Sequence, residues 1–116
     1  MFDYNEEYGE FQDVIDQITF SAERVDGAEE LTQRLAEAYS EKLPDIAEAL
    51  CGDDYFVNVM GRLTTEEVME KLGDPKIDLT NSLLIYRDHG FDLDCTIELE
   101  FDGDLDELLE LNINEN

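Results

Sequence analysis

Cys95-Thr96-Ile97-Glu98-Leu99-Glu100-Phe101-Asp102-Gly103 alternates apolar and polar side chains and then stops at an Asp-Gly pair. In an extended strand successive side chains point to opposite faces, so Ile97, Leu99 and Phe101 are expected in the core and Glu98 and Glu100 in water. Asp102-Gly103 is a strong turn signal. Beyond it, Leu109, Leu111 and Ile113 alternate with Glu110, Asn112 and Asn114, which predicts the return strand of an antiparallel meander; residues 105–109 also admit a helical turn. Residues 88–116 as a whole carry 11 carboxylates and no lysine or arginine. Acidic tails usually stay disordered, because low hydrophobicity and high charge cannot offset the entropy of ordering. Here the acids are interleaved with Phe91, Leu93, Leu105 and Leu108 as well as the strand residues. Burying those side chains requires the carboxylates to face outward as one dense negative surface.

Upstream, residues 82–87 are rich in Leu, Ile and Tyr and read as a strand, with Ile77-Asp78-Leu79 a shorter one before the turn-like Thr80-Asn81. Thr64 followed three residues later by Glu67 matches a capping box, Val68, Met69 and Leu72 supply a buried side, and Gly73 suits the position after a helix end. Leu31, Leu35, Ala38, Tyr39 and Leu43 recur at three- and four-residue spacings and predict a helix over residues 28–43. Pro44 either begins a second helical stretch or kinks the first. Tyr55-Phe56-Val57-Asn58-Val59-Met60 fits a helical turn. Residues 18–22 alternate as a strand, helix competes over residues 12–17, and the first ten residues are a lead-in or an edge strand. The expectation is a single α+β domain over residues 1–116: central helices followed by a C-terminal antiparallel β-meander.

The chain has 32 acids and 7 lysines and arginines, a formal charge of −25. Both halves share the excess. Phosphate backbones and anionic lipids are bound through Lys/Arg clusters, so direct nucleic-acid or membrane binding is not expected. A basic protein surface or a cation is the better partner; a merely solvated acidic surface is the alternative. Cys51 and Cys95 lie 44 residues apart, which is neither a disulfide framework nor a zinc pattern. The start, Met-Phe-Asp-Tyr-Asn-Glu-Glu, lacks the basic and apolar regions of a signal peptide, and no stretch nears the roughly 20 apolar residues that span a bilayer. A cytoplasmic location is expected.

Asp88-His89 is the one place where a carboxylate adjoins an imidazole, the pairing that orients catalytic and metal-binding histidines. A loop between two strands, with His89-Gly90 in the turn, is the simpler explanation. Cys95 follows His89 by six residues, but no nucleophile motif surrounds it, and acidic neighbours disfavour a thiolate. Counting a calcium loop from Asp102 puts Glu107 where glycine is required and Ile113 where the bidentate acid is required, so the match fails. No cofactor or metal is expected, and no catalytic residues are assigned. The candidate partner-binding residues are Asp92, Asp94, Glu98, Glu100, Asp102, Asp104 and Asp106, held at fixed spacing and suited to Lys/Arg on a partner. Tyr4, Tyr8, Tyr39, Tyr55 and Tyr86 are candidate anchors where exposed. The leading expectation is a non-enzymatic acidic binder. A housekeeping or regulatory acidic domain comes next, and a small hydrolase or metal-dependent enzyme using Asp88 and His89 last.

Four segments also resemble a family of small acidic bacterial proteins catalogued only as a domain of unknown function. They are Leu63-Thr64-Thr65-Glu66-Glu67-Val68, Lys71-Leu72-Gly73-Asp74-Pro75-Lys76-Ile77, Tyr86-Arg87-Asp88-His89 and Glu100-Phe101-Asp102-Gly103. The resemblance spans residues 28–114 and departs from the family where Leu111-Asn112-Ile113-Asn114 lacks a closing Asp-Gly. It implies a cytoplasmic α+β domain without assigned catalytic residues. Proteins of similar look sit among toxin-immunity genes, which implies an immunity or inhibitor protein covering a basic toxin or nucleic-acid enzyme.

Overall fold

The computed structural model describes residues 2–91 and 94–115. Three strands, β1 (Asp3–Asn5), β2 (Glu10–Ile15) and β3 (Ile18–Ala22), precede three helices, α1 (Ala28–Cys51), α2 (Asp54–Met60) and α3 (Thr65–Leu72). Four more strands follow: β4 (Lys76–Asp78), β5 (Leu83–Tyr86), β6 (Cys95–Asp102) and β7 (Glu107–Glu115). All seven join one sheet in sequence order. Every neighbouring pair is antiparallel except β3–β4, which is parallel.

This corrects the expected layout of central helices followed by a C-terminal antiparallel meander. The N-terminal strands belong to the same sheet as the C-terminal ones, and the helices form the crossover that a parallel β3–β4 pair demands. Residues 12–17 illustrate the reason. Their apolar spacing admits a helix, but Val14 and Ile15 pair with Thr19 and Ile18 through a two-residue turn. Asp16 and Gln17 both take positive φ, 52° and 69°, as such a turn requires, without the Asn-Gly that would have announced it.

α1 runs unbroken through Pro44, whose ring is exposed, and buries Thr32, Leu35, Ala36, Tyr39, Ile46, Ala47 and Leu50 on one stripe. α3 carries the full capping box, with Thr64 Oγ1 accepting from the Glu67 N–H at 3.1 Å and Glu67 Oε1 accepting from the Thr64 N–H at 3.1 Å. Against these helices the sheet turns Phe20, Ile77, Leu84, Tyr86, Ile97 and Phe101, all buried. Inside this layer the Tyr39 and Tyr86 hydroxyls bond each other at 2.7 Å. Burial pushes both phenols above their ordinary values, Tyr86 well above. Tyr39 and Tyr86 are therefore core residues rather than anchors.

A bulge in the β6–β7 ladder, where Phe101 faces Leu108 and Glu100 faces Glu110, leaves Leu109 as the extra residue. Leu111 and Ile113 pack inward as the alternation predicts, but Leu109 is 52% exposed.

Candidate protein interface on the helix-free face of the sheet

The crossover places its helices on one face of the sheet, and the alternation within each strand determines what the other face presents. The register assembles two rows across it. One is Val14, Thr19, Lys76, Ile85, Glu98 and Asn112; the other is Asp3, Gln12, Ser21, Asp78, Leu83, Glu100 and Glu110. β5 contributes Leu83 and Ile85 here while Leu84 and Tyr86 enter the core, so this strand is apolar on both sides. Val14 is 63% exposed and Tyr8 58% exposed. Together with Lys76, Ile85 and Arg87 they border a depression of about 670 Å³.

The loop after β1 closes one side of this face. Asn5 Oδ1 accepts from the Glu7 and Tyr8 N–H groups at 3.0 and 3.2 Å, folding the loop back. The Tyr8 ring then lies 5.1 Å from Lys76 Nζ, a cation–π contact. Lys76 Nζ also meets Glu10 Oε1 at 2.6 Å, with both side chains less than one-fifth exposed. Partial burial pushes the Glu10 carboxyl up, but the Lys76 bond, with help from Gln12 and Ser21, outweighs it and holds the group below its ordinary 4.5. Ser21 is fully buried beside this pair; its hydroxyl favours the carboxylate without reaching good hydrogen-bond geometry.

Across the sheet the charge is uncompensated. The side chains of Glu98, Glu100 and Glu110 make no ion pair or hydrogen bond with another described residue. Glu100 stands directly opposite Glu110, and Asp102 directly opposite Glu107. Like charges so placed cost free energy. Asp78, by contrast, is occupied: its carboxylate accepts from Thr80 and Asn81 and shapes the turn before β5.

The structure divides the seven acids expected to bind a partner. Glu98 and Glu100 lie together on the helix-free face, and Asp94 is exposed just before β6. Asp102, Asp104 and Asp106 occupy the β6–β7 hairpin. Asp102 Oδ1 accepts from the Gly103 N–H at 2.9 Å, and Asp106 Oδ2 accepts from the Asp104 N–H at 3.2 Å. Asp104 Oδ2 lies 3.4 Å from Arg34 Nε of α1, drawing it toward the helices. The hairpin acids thus serve their own turn. Asp92 lies outside the described residues.

Sequence reasoning did not join Glu110 to Glu98 and Glu100, or find Leu83 and Ile85 beside them. The unbroken apolar run Leu83-Leu84-Ile85-Tyr86 was the available signal, since a strand apolar at every position has something to cover on both faces.

His89 is committed to its own loop. Its Nε2 donates to the Cys95 carbonyl at 2.7 Å, and its Nδ1 accepts from the Phe91 N–H at 3.3 Å. Gly90 N–H donates to the Lys71 carbonyl at 2.6 Å, tying the loop to the end of α3. Cys95 Sγ lies 3.5 Å from Nε2, but Cys95 is buried. Both ring nitrogens are engaged by backbone, so this is the geometry of a loop staple. Among the described residues no three His, Cys, Asp or Glu side chains converge to hold a metal ion, and no helix is long and apolar enough to cross a membrane. Compared with protein-family models, curated proteins and solved structures, the chain matches none.

Proposed function

We propose that this protein is a non-enzymatic acidic binder whose helix-free sheet face docks onto a basic protein surface. One observation carries the reading: Glu98, Glu100 and Glu110 stand without an ion pair beside the partly exposed Leu83. Partly exposed Leu83 and exposed Val14 give this face apolar contact area beside its acids, the mix found in recognition surfaces, and exposed Tyr8 is the residue type that anchors one. A cationic partner relieves the cross-strand repulsion, and the net charge of −25 accelerates its approach. The partner class that fits is an enzyme with a Lys/Arg surface, such as a nucleic-acid enzyme or a toxin that this protein inhibits. A cytoplasmic setting suits the two free cysteines.

The test is affinity capture with the wild-type protein and the triple variant Glu98→Gln/Glu100→Gln/Glu110→Gln. A basic protein is expected on the wild type, with an association rate that falls as salt is raised, and is expected to be lost from the variant. Undiminished capture by a correctly folded variant refutes the assignment of this face.

A further inference from the structure

We infer that β7 is a docking edge to which an extended segment of the basic partner adds as an eighth strand, an inference that rests on the acidic-binder reading above. β7 ends the sheet on one side and is nine residues long, whereas β1 at the other side has three. A strand at a sheet edge presents unpaired backbone N–H and C=O groups, which template another strand. Natural edges are commonly guarded by lysine or proline, and β7 contains neither. Its guards are Glu107, Glu110 and the bulge at Leu109.

Such guards are selective. Joining two copies edge to edge brings glutamates toward glutamates, which repel, whereas a basic strand meets attraction at the same positions. Acidic guarding therefore disfavours a second copy of this chain and admits a cationic strand.

The pleat specifies the occupant further. Beyond the bulge, residues 110–114 form a regular run in which Glu110 and Asn112 face the helix-free side and Leu111 and Ile113 the helix side. Side chains of an added strand would lie about 5 Å from these. On the helix-free side lysine or arginine would meet Glu110, with Glu100 next in the row. On the other side an apolar residue would cover the part-exposed flank of Leu111. The fitting partner segment alternates Lys/Arg with β-branched apolar residues.

The test uses a peptide of about nine alternating Lys and Val residues, matched in length to β7, and a second copy N-methylated at every amide of its central run. The two carry the same charge, but the second has no edge with free N–H groups to pair with β7, whereas the first has two. With the intact protein in about 150 mM salt, to screen nonspecific attraction, the first peptide is expected to slow amide hydrogen exchange in residues 110–114. The methylated copy is expected to bind at least roughly tenfold more weakly. Equal binding by both peptides overturns strand addition and leaves the acidic-face reading standing. So does binding of the first peptide without protection of β7. Failure of both peptides to bind, together with no capture of a basic partner by the wild type, overturns the two readings together.

Discussion

Glu110→Gln is expected to make the protein more stable and a poorer binder. Glu110 faces Glu100 directly across the β6–β7 ladder, and no cation among the described residues intervenes. Directly opposed side chains on a sheet begin about 5 Å apart at Cβ. Two negative charges at that separation repel by roughly 0.8 kcal/mol in bulk water. Solvent and side-chain reorientation lower this, so the gain from removing one charge is about 0.5 kcal/mol, within the range for cross-strand pairs. For a chain of this size that raises the melting temperature by roughly 2–3 °C. The assay is thermal unfolding of wild type and variant at about 10 mM and about 1 M salt, where the screening length shrinks from roughly 30 Å to roughly 3 Å. The gain should be clear at low salt and largely gone at high salt. Association with a basic partner should meanwhile slow, because the same charge drives the encounter. A variant that melts no higher than wild type at low salt would falsify the cross-strand repulsion. A gain that persists undiminished at 1 M salt would assign it to packing instead.

Three further outcomes follow from the geometry. Because Glu10 titrates below its ordinary 4.5, the Glu10–Lys76 pair stabilises the fold fully above that value, and the stabilisation is lost as pH falls through the lower folded value. Glu10→Gln should therefore destabilise at neutral pH and flatten the acid limb of a pH–stability curve, whereas an unchanged curve removes the pair from the account. Tyr86→Phe strands the buried Tyr39 hydroxyl and should cost about 1–3 kcal/mol in urea unfolding, while Tyr39→Phe/Tyr86→Phe recovers much of it; a double variant as unstable as the sum of the singles contradicts this. Pro44→Ala should stabilise α1 by about 1–3 kcal/mol, since proline withholds an N–H from the helix interior and its exposed ring contributes little packing. A destabilised Pro44→Ala would show that the ring packs more than its exposure indicates.

Much of the local structure was legible because its causes are local. The Thr64–Glu67 box, the stripe of α1 and the alternation of β6 each arise from residues within a few positions of one another, and each appears in the fold. The turn at Asp16 and Gln17 was not legible, because neither residue is the glycine that positive φ normally selects. The phase of β7 was half legible: the bulge that exposes Leu109 arises from the mismatch of two strands, which neither strand records alone. The candidate site divided in the same way. Outward-facing Glu98 and Glu100 were evident from period two, whereas Asp102, Asp104 and Asp106 proved to be occupied by their own hairpin and by Arg34.

The sequence alone determined the charge and the C-terminal alternation that turns Glu98 and Glu100 outward, because those depend on composition and on a periodicity built into the backbone. Only the tertiary structure decided what those carboxylates stand beside. The parallel β3–β4 pair sends the helices to one face, and the strand register brings Leu83, Ile85 and Glu110 to Glu98 and Glu100 on the other. Leu83 and Ile85 lie 17 and 13 residues before their partners Glu100 and Glu98, and Glu110 ten after Glu100, so their meeting is a property of strand pairing that no local pattern carries.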